Sequence, residues 1–179
     1  MVEAQPAPKP ATAPTAASFS TEIEGELAAA YRLAGYILGD AIEAQDAVQE
    51  ALERAWNGWP KLRSRDAAKA WFARILINVC KTKLSARGRG SVLDLNEDVD
   101  LADSDDPFRA SLLRDAVGRA LSELTADQRI VIVLRFWGRL SMPEIGERLG
   151  IPEGTAKSRQ HYALETLKRA LARDREDLR

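Results

Sequence analysis

Between residues 92 and 107 the chain carries seven acids and no base, without any apolar period, and the stretch ends at Pro107. Such a run cannot bury enough surface to order itself. It therefore divides the 179 residues into two pieces of roughly 70 residues, each able to build only a thin core. The reading that follows is a Pro/Ala-rich disordered tail over 1–18, a helical domain over 19–90, a flexible acidic linker over 91–107 and a second helical domain over 108–179. No segment alternates with period two, so the expected class is all-α.

Within the first piece, Ser20 can cap a helix over 20–38, with Ile23, Leu27, Ala30, Tyr31, Ala34 and Ile37 on one side and Gly39 as its stop. Asp40 and Glu43 have capping-box spacing, in which the Asp takes an orphan N–H and the Glu reaches back. The helix they open runs to Trp56, with Ala44, Ala47, Val48, Ala51, Leu52, Ala55 and Trp56 on its apolar stripe. A third helix fits 65–84 and packs Ala70, Trp71, Ile75, Leu76 and Val79 inward. In the second piece, apolar spacing predicts a helix over 108–124. Thr125 with Gln128, and Ser141 with Glu144, are two further capping boxes that open helices over 126–137 and 142–149. A last helix follows over 153–174.

Charge is blocked rather than mixed. Acids dominate 20–60, where Glu22, Glu24, Glu26, Asp40, Glu43, Asp46, Glu50 and Glu53 meet only Arg32 and Arg54. Bases dominate 61–90, where Lys61, Arg63, Arg65, Lys69, Arg74, Lys81, Lys83, Arg87 and Arg89 meet a lone Asp66. Sign blocks of this kind point to surfaces with different partners. One cysteine, Cys80, excludes an internal disulfide, and with one histidine, His161, leaves no metal cluster or conventional triad. There is no GxxxxGK[ST] or HExxH motif. An enzyme is not expected, and neither is a cofactor or a metal. No apolar run approaches the roughly 20 residues needed to cross a membrane, and the first residues carry no signal-peptide h-region. The expected compartment is the cytoplasm.

The short helix over 142–149, a turn at Gly150 and a longer helix with a polar, basic start form a helix-turn-helix. Ile145, Leu149, Ile151, Leu164 and Leu167 are expected to lock the crossed helices. Thr155, Lys157, Ser158, Arg159, His161 and Tyr162 are then free to enter a major groove. Lys and Arg can hold phosphates or the O6/N7 edge of guanine, while Ser and Thr can anchor the backbone.

The surrounding residues carry a resemblance. LSELTADQRIVIVLRFW over 121–137, GRLSMPEIGERLG over 138–150 and IPEGTAKSR over 151–159 closely resemble region 4 of the extracytoplasmic-function (ECF) sigma factors, group 4 of the sigma-70 family. GDAIEAQDAVQEALERAW over 39–56 and AWFARILINVCK over 70–81 resemble region 2 of that family. The resemblance implies an alternative sigma factor that binds core RNA polymerase and directs promoter-specific initiation. It implies that Asp46, Gln49, Glu50 and Glu53 meet the clamp helices of the polymerase β′ subunit, and that the second domain meets the β flap. Acids on an exposed helix also suit a basic partner physically. The resemblance further places Asn78 where an unstacked base of the –10 element is captured, with Arg63, Arg65, Arg74, Lys81 and Lys83 as backbone contacts. Thr155 to Tyr162 would read the –35 element. An anti-sigma factor is implied as a partner, and the acidic linker would thread a basic path in the polymerase. The recognition helix departs from the common family pattern. Ala156 stands for a usual Val, Gln160 for an often aliphatic residue and Tyr162 for a frequent Arg, which puts one phosphate or base contact in doubt.

Two other classes fit parts of the chain. A stand-alone helix-turn-helix regulator would dimerise and bind duplex DNA without polymerase, although no dimerisation heptads are visible. A helical protein that sequesters another factor would not need the basic 61–90 block.

Overall fold

The computed structural model describes residues 16–62, 64, 66–87 and 107–177. Among the described residues, eight α-helices and one 3-10 turn make up the regular structure, and there is no strand. Helices α1 (Ala16–Glu24), α2 (Leu27–Leu38), α3 (Ala41–Gly58) and α4 (Ala68–Arg87) form the first half, with the 3-10 turn Trp59–Lys61 between the last two. The second half holds α5 (Pro107–Ser122), α6 (Ala126–Phe136), α7 (Met142–Leu149) and α8 (Glu153–Asp177). The tail below residue 16, Arg63, Arg65 and the expected linker up to 106 lie outside the described residues.

The expected helix over 20–38 is two helices. Glu26 N–H donates to the Ile23 carbonyl at 2.9 Å, a tight turn around Gly25, and the Glu26 carboxylate pairs with Lys69 at 2.7 Å. That pair holds the Lys69 ammonium above its ordinary pKa, through the hydrogen bond and then the charge of Glu26. Helix α1 also begins inside the expected tail. Phe19 lies edge-on to Trp56 at 5.3 Å and to Trp59 at 5.2 Å, and aromatic edge contacts of this kind stabilise beyond their buried area. Trp56 is therefore not a core residue: it is 48% exposed, at the rim of this aromatic group. Trp71 is half-buried against Trp59 and fills the space beside Gly58.

Helix α3 buries Ala44, Ala47, Val48, Ala51 and Ala55, a face of small side chains that lets α2 and α4 approach closely. Asp40 caps it, accepting from the Glu43 N–H at 2.8 Å. The reciprocal half of the expected capping box is absent. Glu43 instead accepts from Arg87 Nε at 2.9 Å, because Arg87 also reaches the Leu38 carbonyl at the end of α2 and brings a full charge with it. Both boxes of the second half are complete, Thr125 with Gln128 and Ser141 with Glu144. Hydrogen bonds from the Ser141 hydroxyl and backbone keep the Glu144 carboxyl below the usual carboxylate range.

The two halves are in contact. Helix α6 packs on α2 and α4, and α7 packs on α4. Ile130, Val131, Val133, Leu134, Ile145 and Ala156 belong to the same buried cluster as Ala34, Ile37, Leu76 and Val79. A smaller cluster of Leu121, Leu124, Ile132 and Ala163 holds α5, α6 and α8 together. Tyr36 of α2 stacks on Trp137 after α6, with ring centroids 5.6 Å apart. Each half alone exposes a wide apolar face, and docking removes part of both from water. No helix among the described residues is long and apolar enough to cross a membrane.

Candidate nucleic-acid interface

The turn between α7 and α8 is built by two glycines. Gly150 takes φ +65°, the left-handed region that closes a helix without a side-chain penalty. Gly146 lies so near the next segment that a Cβ would sit 2.9 Å from the Ile151 carbonyl oxygen, while the Ile151 N–H donates to the Gly146 carbonyl at 2.9 Å. Helix α7 and the start of α8 can meet only there. Gly150→Ala should lower unfolding free energy by about 1–2 kcal/mol through its backbone conformation. A urea titration with wild type alongside measures the difference. Gly146→Ala should lose more, since its neighbour is backbone and cannot swing aside.

Of the residues expected to lock the helices, Ile145 is fully buried and Leu149, Ile151 and Leu167 are half-buried. Leu164 is not part of the lock, being 41% exposed. Helix α8 packs instead through Ala156, Ala163 and Ala170, all buried at seven-residue spacing. Small side chains there bring the helix axis close to its neighbours and turn the larger Leu164 outward.

The expected –35 residues other than Arg159 gather on the open side of the first three turns of α8. Lys157, Ser158, His161 and Tyr162 are exposed, and Thr155 is half-buried. Lys157 pairs with Glu153 at 2.7 Å, and the Ser158 hydroxyl donates to the Gly154 carbonyl at 2.9 Å. The His161 and Tyr162 rings meet edge-on at 5.5 Å. Arg159 differs. It is turned inward, its guanidinium 2.7 Å from the Asp127 carboxylate.

On α4, Arg74, Asn78 and Lys81 fall at i, i+4 and i+7 and share one face. The Asn78 side chain is exposed. Lys81 contacts Asp127 at 2.6 Å, and the Arg74 guanidinium lies over Gly150 at the helix-turn-helix turn. Arg74 also lines a cleft between α4 and α7 with Ala70, Leu140, Glu144, Glu147 and Arg148. The face read as a –10 surface is thus turned toward the second half. Lys83 stands half-buried beside Cys80, away from that face. Cys80 is fully buried, and desolvation pushes its thiol up to about 12, so it carries essentially no thiolate at neutral pH.

On α3, Asp46, Gln49 and Glu53 are exposed, while Glu50 is held by Arg54 at 2.5 Å. Ile42, 73% exposed, and Trp56 bracket the same helix face. Neither is expected on this surface from the sequence; an unaccompanied Ile in the first turn after an N-cap is the available signal for the first. Two other residues escaped sequence reasoning. Asp127 joins Lys81 and Arg159. Arg129, 5% exposed, donates from Nε to the Leu121 carbonyl at 3.1 Å and from Nη1 to the Ile37 carbonyl of the first half at 3.4 Å. Desolvation, and then the nearby Arg87, pull the pKa of Arg129 down to about 10, leaving it a cation at neutral pH.

A helix-turn-helix with an exposed polar recognition helix, docked on a second helical module with its own acidic and basic faces, defines a DNA-binding transcription factor. Residues 23–90 match sigma-70 region 2, and residues 120–169 match sigma-70 region 4. The chain is 35% identical over 165 residues to the ECF RNA polymerase sigma factor SigL of Mycobacterium tuberculosis, covering 90% of this chain and 93% of that one. It is 34% identical over 147 residues to the RNA polymerase sigma-E factor of Streptomyces coelicolor, covering 82% and 78%. Among solved structures, the sigma factor RpoE of Bartonella quintana, crystallised with the anti-sigma factor NepR, is similar at a TM-score of 0.64 and 26% identity, over 86% of this chain and 96% of that one. The chain belongs to the ECF sigma factors of the sigma-70 family.

Proposed function

We propose that the chain joins core RNA polymerase through the exposed face of α3, with Asp46, Gln49, Glu50 and Glu53 meeting the β′ clamp helices. In this reading α4 and the basic residues that precede it in the sequence then open and hold the –10 element, with Asn78 on an unstacked base and Arg63, Arg65, Arg74, Lys81 and Lys83 along the backbone. Helix α8 reads the –35 element as duplex through Thr155, Lys157, Ser158, Arg159, His161 and Tyr162, with the second half on the β flap. The halves 19–90 and 108–179 act as two modules joined by 91–107. The chain performs no chemistry of its own, needs no cofactor, works in the cytoplasm and is held in check by an anti-sigma factor.

The observation that carries this reading is the placement of Lys157, Ser158, His161 and Tyr162 on one exposed face of α8, immediately after the Gly150 turn. An amide such as Asn78 can hydrogen-bond a base edge only when the base has left the stack, which fits a melted strand and not a duplex. In run-off transcription with core polymerase, Lys157→Ala and Arg159→Ala should each reduce –35-dependent output while polymerase co-elution stays unchanged. Each loses about 1–3 kcal/mol of promoter discrimination if it meets a base, and less if it meets only phosphate. Asn78→Ala should bind duplex promoter normally and fail at permanganate-detected strand opening. Unchanged output from both α8 variants would remove the recognition-helix assignment.

A further inference from the structure

The open side of α8 divides into two strips. Lys157 and His161 stand at i and i+4 on one, and Thr155, Ser158 and Tyr162 at i, i+3 and i+7 on the other. The first strip carries a cation, Lys157, paired with Glu153 at 2.7 Å. The second carries no charge. Its Ser158 hydroxyl donates to the Gly154 carbonyl at 2.9 Å, Thr155 is half-buried, and Tyr162 is 62% exposed. The His161 ring meets Tyr162 edge-on at 5.5 Å and braces it. Tyr162 is the tenth residue of α8, about 14 Å from its start at ~1.5 Å per residue. Helical side chains lean toward the N-terminus, so its ring covers the turn of Ser158. That position falls within the span of a major groove about 12 Å wide.

We infer that Tyr162 sets promoter specificity by laying its ring against the C5-methyl group of a thymine in the –35 element. The inference rests on the proposed assignment of α8 to that element, and it names the base feature that this part of the helix reads. In the major groove the base edges present hydrogen-bond donors, acceptors and one apolar group, the thymine methyl. An uncharged aromatic ring matches the methyl. It cannot take both acceptors of a guanine, because a phenol has one donor where an arginine has a fork of them. Burial of one methyl against the ring contributes about fourfold in affinity. Thr155, on the same strip, adds a second methyl-bearing side chain nearer the start of the helix.

The test uses the full chain with core RNA polymerase. Promoters that the chain uses on fragmented GC-rich bacterial DNA are mapped by their RNA 5′ ends. They are then resynthesised with deoxyuridine in place of thymidine in the –35 element alone, which removes the methyl and keeps the hydrogen-bonding groups. Run-off output from the two templates is compared for wild type, Tyr162→Phe and Tyr162→Ala, with co-elution on core polymerase as the check that each variant folds. Wild type and Tyr162→Phe should each give about fourfold less RNA from the deoxyuridine template for one methyl read. Tyr162→Ala should start about fourfold lower on the thymidine template and give nearly equal output from both. Equal output from the two templates in wild type, or –35 elements without thymine, would overturn the inference. So would a deoxyuridine loss that persists in Tyr162→Ala, which places the methyl on another residue. A Tyr162→Phe variant that behaves like Tyr162→Ala would also overturn it, and would put the phenol hydroxyl on a phosphate instead. Start sites and output unchanged in both Tyr162→Ala and Lys157→Ala would remove the assignment of α8 itself, and the inference with it.

Discussion

Arg129→Ala should lower the unfolding free energy by about 2–4 kcal/mol and loosen the contact between the halves. The guanidinium serves carbonyls at two helix ends, Leu121 near the end of α5 and Ile37 near the end of α2. Arg87 already meets the neighbouring Leu38 carbonyl, so two cations stand at the negative end of α2. Removing Arg129 leaves buried acceptors without a charged donor, a loss of about 1.5–3 kcal/mol for each well-formed bond. The longer Ile37 contact contributes less, and release of a desolvated charge offsets part of the total. Arg129→Met should recover the packing of the side-chain stem but not the carbonyls. Arg129→Lys keeps the charge, yet one ammonium cannot span both helix ends. Chemical denaturation of the three variants, with the midpoint and slope both recorded, separates these contributions. A stability equal to wild type in Arg129→Ala would show that the two helix ends do not depend on it.

The second large effect concerns the polymerase face. Gln49→Ala combined with Glu50→Arg should weaken co-elution with core polymerase at least tenfold and leave the fold intact. Gln49 is exposed and Glu50 pairs only with Arg54 among the described residues, so neither supports the core. Within the helix the new arginine faces Arg54 one turn away, a like-charge pair that costs about 0.2–0.5 kcal/mol. Against a basic partner the reversal replaces an attraction by a repulsion, which can reach several kcal/mol. Titration of labelled chain into core polymerase at two salt concentrations checks both size and origin. The deficit should shrink at high salt if charge carries it. A variant that binds as well as wild type would move the interface off Asp46, Gln49, Glu50 and Glu53, with Ile42 and Trp56 the first residues to examine next.

Local chemistry was legible in the sequence wherever a few neighbouring residues settle the outcome. Ser141 with Glu144, Thr125 with Gln128 and Gly150 marked the helix-turn-helix within a residue or two, because caps and left-handed turns are decided inside one turn of chain. Distant partners were not legible. Helix α1 begins at Ala16 because Phe19 finds Trp56 and Trp59, and Glu43 abandons its capping box for Arg87. The packing face of α8 also shifted by one residue. Size favoured Leu164 as the buried position, whereas close helix approach selected Ala163. Asp127 could be read only as a favourable acid at a helix start. Nothing nearby in the chain signals that Lys81 and Arg159 converge on it. Arg129 likewise resembles any helix-surface cation until α2 and α5 end beside it.

The most direct test of the central claim is transcription reconstituted from purified core RNA polymerase on fragmented GC-rich bacterial DNA, with and without the chain, followed by mapping of RNA 5′ ends. Discrete start sites should appear only with the chain, share a pair of spaced upstream elements, and vanish with the Gln49→Ala/Glu50→Arg variant. Absence of any chain-dependent start, together with tight duplex binding by the chain alone as a dimer, would contradict that claim and favour a stand-alone helix-turn-helix regulator.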